Sequence, residues 1–283
     1  MLPAPVNAYL SENNYGPVTQ TRPLGGGCIS NGQIIHTQSG VTFFLKTNTS
    51  VPADMFAREA EGLQALAVPN GPRLPRVYLH GADFILLEDL APASPVRDYW
   101  PDFGRKLATL HNHTAKRFGF AHNNYIGSTP QINNWTADGY KFFAEYRLHY
   151  QGQLAHRQGL LSASDLNALD HLIHRLPELI PVQPPSLIHG DLWSGNAISD
   201  SGGAPAIIDP AAHYGWAEAE LAMTALFGAF PAAFYRAYEE IRPLEPNYPA
   251  RYPLYNLYHL LNHLNIFGRG YLGQVQSILR RYA

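Results

Sequence analysis

The sequence predicts an α+β fold of two lobes: a small antiparallel sheet with one helix over residues 1–88, then a larger, mainly helical lobe over residues 89–283. Three observations predict it. The first 88 residues alternate short strand-like runs with turn signals around a single amphipathic stretch. The rest carries helical spacing, as in residues 252–267, where Leu254, Leu257, Tyr258, Leu261 and Leu264 recur at intervals of three and four. Inside that second half, a short strand–turn–strand unit at 187–209 gathers Asp191, Asn196 and Asp209.

Taken in order, residues 18–24 alternate weakly like a strand, Gly25, Gly26, Gly27, Cys28, Ile29 and Ser30 follow, and residues 33–36 resume strand character. Glycines there let backbone amides approach an anion closely, because a chain without Cβ takes positive φ at little cost. After a turn at 38–40, residues 41–46 form a strongly apolar strand that ends in Lys46. A helix from about residue 52 or 53 to Leu66 places Phe56, Glu59, Leu63 and Leu66 along one inward side, so Glu59 can face Lys46, whereas Glu61 lies about 200° around the wheel. Residues 84–90 are an apolar strand entering a polar, proline-bearing segment.

The unit at 187–209 carries the chemistry. Leu187 and Ile188 end a strand, Gly190 turns the chain, and Asp191 is presented. Residues 206–208 form the next strand and deliver Asp209, with Ser201, Gly202 and Gly203 as the turn between. A phosphoryl group in transfer carries negative charge on its equatorial oxygens, so catalysis needs an acceptor-facing carboxylate beside metal-facing oxygens. Asp191 fits the base, and Asn196 and Asp209 fit the metal ligands. The front half then supplies a phosphate-covering loop at Gly25 to Ser30, a phosphate-binding Lys46 held by Glu59, and a hinge whose main-chain groups at Glu88 and Leu90 receive adenine. The pattern implies ATP and Mg²⁺.

Composition bounds the alternatives. Charged residues are 15% of the 283 and aromatics 12%, which describes an aromatic-rich globular chain rather than a disordered one. A net charge near −2 argues against a nucleic-acid partner. The start of the chain shows no secretory signal and no stretch reads as a membrane span, so a cytoplasmic protein without a membrane partner is expected. The single cysteine, Cys28, excludes an intrachain disulfide.

The chain resembles the fructosamine kinase (ketosamine-3-kinase) family, within the wider group of aminoglycoside- and choline-kinase-like phosphotransferases with a protein-kinase-like fold. The resemblance rests on residues 25–30, 56–63, 107–111, 118–135 and 189–196, on Asp209-Pro210 with Tyr214-Gly215, and on residues 218–222, 227–231 and 261–268. It implies transfer of the ATP γ-phosphoryl group to the 3-hydroxyl of a ribulosamine or fructosamine, after which the unstable adduct releases its amine, a deglycation or protein-repair activity. It also implies the roles given above for Lys46, Glu59, Asp191, Asn196 and Asp209. Where many bacterial members carry an Arg before the first acid and an Asp at the second, this chain has Ala217-Glu218 and Glu220, so a structural salt bridge is expected to differ.

Trp193, two residues past the base, offers an aromatic face to a sugar, or packs the catalytic loop onto later helices. His263 is a candidate substrate contact, though such a histidine is more often a structural residue. Cys28 lies in the phosphate loop, where the resemblance implies redox response through a disulfide-linked homodimer of an otherwise monomeric protein. Three other readings compete: a kinase of another small hydroxyl acceptor such as an aminoglycoside, choline or homoserine; a non-catalytic nucleotide-binding protein; and a metal-dependent hydrolase built on His189, Asp191, Asp209, His111 and His113.

Overall fold

In the computed structural model, which describes residues 2–24 and 31–283, helix α1 (Ala4–Glu12) precedes β1 (Val18–Leu24), β2 (Asn31–Thr37) and β3 (Thr42–Thr47), and α2 (Met55–Leu66) precedes β4 (Val77–His80) and β5 (Phe84–Glu88). These strands form one antiparallel sheet in the order β1-β2-β3-β5-β4. The two-residue alternation of β3 decides what the sheet presents. Phe43 and Leu45 pack with Val6 and Leu10 of α1, while Phe44 and Lys46 look to the other side, into a cleft beside α2. The expected single helix beside the sheet is therefore corrected to two. The short α1 carries prolines at its start, and only Val6 and Leu10 are buried, too few positions to set up a readable period.

Helix α2 starts two or three residues later than expected. Asp54 makes no side-chain cap, and the chain before it closes a turn from Met55 N to Pro52 O instead. Its buried face, Phe56, Ala60, Leu63 and Leu66, joins Ile85, Leu107, Leu110, Leu187, Leu192 and Ile207 in one apolar cluster, so the core continues across residue 88.

The second part begins with α3 (Tyr99–His111) and a small hairpin, β6 (Asn124–Ile126) and β7 (Thr129–Gln131). Helix α4 (Gly139–Phe143) runs through a π-helical turn (Ala144–His149) into α5 (Tyr150–Arg157), and α6 (Ala163–Leu179) is started by a Ser162–Asp165 capping box. Then come β8 (Ser186–Ile188), β9 (Ala197–Ser199), β10 (Pro205–Ile207) and β11 (His213–Gly215), paired as β8 with β11 and β9 with β10. The chain ends in α7 (Ala217–Leu226), α8 (Ala232–Ile241), α9 (Tyr248–Phe267) and α10 (Leu272–Tyr282). Helix α9 starts four residues before the expected 252, with a proline in its first turn, where the missing N–H has no intrahelical partner to lose. No helix among the described residues is long and apolar enough to cross a membrane.

Candidate active site

The loop that carries Asp191 hangs between two ladders. Ile188 pairs with His213, and Gly190 then takes φ +85°, with its Cα so close to the returning chain that an added Cβ would lie 2.2 Å from Ala211 O. Only glycine suits both conditions. His189 donates from Nε2 to Ile208 O (2.8 Å), accepts at Nδ1 from Asp191 N (3.2 Å), and its carbonyl accepts from Ala211 N (2.9 Å). Burial lowers its pKa, so this bridging ring is neutral. Asn196 completes the loop by donating from Nδ2 to Asp191 O (2.8 Å), while its carbonyl accepts from Ile208 N (3.1 Å). Asp191, Asn196 and Ile208, the residue before Asp209, are thus joined, directly or through His189, by four hydrogen bonds of 2.8 to 3.2 Å.

Glu220 anchors this loop, and sequence reasoning missed it. Its carboxylate is fully buried on α7 and accepts from His189 N (2.8 Å), Gly190 N (2.6 Å) and His111 Nε2 (3.0 Å). Despite the burial that would raise it, Glu220 has a lowered pKa, because those donors, His111 foremost, favour the anion. His111 in turn accepts at Nδ1 from the Tyr238 hydroxyl (2.8 Å). The signal available was a pair of acids in an otherwise apolar helix, Glu218 and Glu220. The neighbouring Glu218 does something different, forming an ion pair with Arg251 through two bonds (2.6 and 2.8 Å) and accepting from the Tyr255 hydroxyl (2.9 Å).

Asp209 sits in the left-handed region at φ +59°, a conformation Asp tolerates better than most residues. Its carboxylate contacts Lys46, which also donates to Glu59 Oε1 (2.7 Å). Burial would lower the lysine pKa, but Asp209 and then Glu59 outweigh it and hold Lys46 firmly as an ammonium. The expected lysine–glutamate pair is therefore present, together with a lysine–aspartate contact. Burial, then the charges of Asp209 and Glu220, push the Asp191 carboxyl well above the usual range, with the Asn196 amide opposing.

These groups line one cleft of about 440 Å³ with Tyr125, Trp193, His263 and Phe267. Trp193 stands edge-on to Phe227 at 6.3 Å and covers Gly195 so closely that a Cβ there would meet the indole at 2.3 Å. It both packs the loop and faces the cleft. His263 donates from Nδ1 to His259 O (2.8 Å) and lies 4.7 Å from the Phe227 ring, and burial lowers its pKa, so its Nε2 is an acceptor. Glu88 uses its N–H on Arg76 O and its carboxylate on Arg73 and Arg76 N. Neither it nor the buried Leu90 lines this cleft. The calls on Gly25, Gly26, Gly27, Cys28, Ile29 and Ser30 fall outside the described residues.

Asn196 and Asp209 bring an amide and a carboxylate to the cleft. Hard oxygen donors in small number suit Mg²⁺, which takes its remaining positions from water and phosphate. The hydrolase reading loses His189 and His111 as nitrogen ligands, since both ring nitrogens of each are engaged.

The sequence profile of the fructosamine kinase family matches residues 5–283. The probable ketoamine kinase of Synechocystis sp. is 42% identical over 271 residues, covering 93% of this chain and 90% of that protein. The chloroplastic protein-ribulosamine 3-kinase of Oryza sativa subsp. indica is 41% identical, covering 96% and 81%. A crystal structure from Thermobifida fusca, provisionally named a fructosamine-3-kinase, superposes with TM-score 0.88 at 31% identity over 97% of each chain. An aminoglycoside phosphotransferase shares the fold alone, at 19% identity and TM-score 0.62. With a lysine–glutamate pair, a loop-borne carboxylate and an asparagine–aspartate pair in one cleft of a kinase-like fold, and with this match along nearly its whole length, the chain is a phosphotransferase that belongs to the fructosamine kinase family.

Proposed function

We propose that the protein is an ATP-dependent ketosamine-3-kinase acting on ribulosamine or fructosamine adducts, and that phosphorylation of the 3-hydroxyl leads to release of the amine. The observation that carries this reading is the meeting of Lys46, Asp191, Asn196 and Asp209 in one cleft, in a chain about as similar to a protein-ribulosamine 3-kinase as to a ketoamine kinase. Lobes of residues 1–88 and 89–283 hold the nucleotide between them. Lys46 binds the α- and β-phosphates and is oriented by Glu59. Asp209 and Asn196 hold Mg²⁺, which supplies charge neutralisation at the transferred group. Asp191 orients the acceptor hydroxyl and takes its proton; its raised pKa makes it a better base than a solvated aspartate. The hairpin tip at Tyr125, Ile126 and Gly127 and the rings of Trp193 and His263 border the place the sugar occupies.

The test is ADP release by the purified protein with Mg²⁺ and ATP, comparing ribuloselysine, fructoselysine, an aminoglycoside, choline and no acceptor. Stimulation by a ketosamine that vanishes in Asp191→Ala supports the reading and ranks the sugars. Stimulation only by another acceptor keeps the kinase and overturns the substrate.

A further inference from the structure

We infer that Gln131 and Asn124 are acceptor-positioning residues, which lock the β6–β7 hairpin to the chain just past Asp209 so that the acceptor and the backbone that carries Asp209 share one rigid frame. The inference rests on the reading of the hairpin tip as acceptor-facing. Gln131 is buried and every polar group of its side chain is used. Its Nε2 donates to Asn124 Oδ1 (2.8 Å) and to Ala211 O (3.0 Å), and its Oε1 accepts from the Tyr258 hydroxyl on α9 (2.7 Å). Asn124 donates from Nδ2 to Ala212 O (2.9 Å), and its Oδ1 also accepts from Asn133 Nδ2 (2.8 Å). Two primary amides at the base of the hairpin thus hold consecutive carbonyls two and three residues beyond Asp209.

Only a primary amide satisfies this site at Gln131: two donors face carbonyl-type oxygens while one acceptor faces a hydroxyl. A network this dry is stable when every member is paired and costly when one is not. The stretch 210–212 also meets α2, because Gly62 brings that helix so close that a Cβ would lie 3.3 Å from Pro210 Cγ and 3.4 Å from Ala212 Cβ. The hairpin base is therefore fixed to the segment that sets Asp209, and its tip, residues 125–127, reaches the cleft. A loosened base lets the tip wander relative to Asp191 while the Lys46–Glu59 pair keeps its own contact.

The experiment compares Gln131→Glu with wild type in full steady-state kinetics and in amide hydrogen exchange. The substitution keeps the shape but sets a carboxylate against Asn124 Oδ1 and Ala211 O. Loss of two hydrogen bonds worth about 1 kcal/mol each corresponds to a rise in acceptor KM of roughly tenfold or more, with ATP KM changed less than about twofold. Exchange should quicken together at 124–131 and 209–212. Equal rises in both KM values, or unchanged exchange in those two segments, overturn the proposal. Should Gln131→Glu fail to fold, Tyr258→Phe removes one of the three bonds and must show the same split at smaller size. If wild type responds to no ketosamine, the substrate reading falls, and the exchange comparison still decides whether the lock exists.

Discussion

The two aspartates proposed for the chemistry are held in opposite ways. Asp191 belongs to a loop whose amides end on a fully buried Glu220, itself tied to His111, with each of these hydrogen bonds drawn from the helical part of the chain. The Asp209 side chain is 40% exposed, and its hydrogen-bonding partner is Lys46, reaching across from the sheet. The difference suits the chemistry proposed for each. A base must wait at a fixed distance from the acceptor hydroxyl, since misplacement by even an ångström is costly. A metal ligand must exchange partners, so in the proposed role a lysine that could turn to phosphate and free Asp209 for a cation would be a better companion than a rigid scaffold. Rigidity and exchangeability are thus segregated between two loops that Asn196 and His189 hold together.

The largest effect tests the fixed side. Asp191→Ala should reduce kcat by about 10²–10⁴-fold, the range for general-base removal, with ADP and ATP affinity nearly unchanged by calorimetry. Lost nucleotide binding with turnover intact would place Asp191 on the wrong side of the comparison. The exchangeable side should respond differently. Lys46→Met removes a charged hydrogen-bond donor worth about 1.5–3 kcal/mol, which corresponds to roughly 10–150-fold in ATP KM, while acceptor KM stays close to wild type. A matching loss for the acceptor would mean that Lys46 organises the whole cleft rather than one half.

Glu220→Gln probes the anchor itself. A neutral amide cannot accept from both loop amides and from His111 as a carboxylate does, and each buried donor left unpaired costs about 1–3 kcal/mol. Thermal unfolding should occur at a lower temperature, and the pH profile should shift as well. In the proposed role Asp191 acts deprotonated, and the Glu220 charge helps raise its pKa, so removing that charge lowers the pKa and moves the acid limb of kcat to lower pH. A limb that stays in place would show that Glu220 holds the loop mechanically without acting on the charge of the base.

The contrast between the two aspartates also explains what could be read from the sequence. Asp191, Asn196 and Asp209 were legible because they are close in sequence and fixed in spacing, and the Lys46–Glu59 pair because a strand end and a helix face follow from periods of 2 and 3.6. Glu220 was not, since its role depends on α7 packing under a loop some thirty residues earlier, and two acids near a helix start ordinarily read as favourable first-turn charges. The hairpin amides escaped for a related reason: Asn124 and Gln131 lie in the 118–135 run that carries the family resemblance, and their partners are carbonyls some eighty residues later, beyond Asp209. Helix α1 stayed hidden because it buries only two side chains.

The smallest expected effect falls on Trp193, which stands where the two regimes meet. Its ring shelters Gly195 inside the rigid loop, while the same ring borders the cleft where the sugar is proposed to lie. Trp193→Phe keeps an aromatic face but shortens it. If the sugar packs on that face, the loss is a fraction of an aromatic contact, about 0.5–1.5 kcal/mol, or roughly 2–12-fold in acceptor KM, with ATP KM and the acid limb unmoved. If the ring serves mainly to pack the loop, the uncovered Gly195 loosens Asn196 beside it. The change then appears in kcat and in the metal concentration needed for half-maximal rate, not in acceptor KM. Measuring those quantities on one variant therefore reports which side of the divide between fixed and exchangeable parts the indole belongs to.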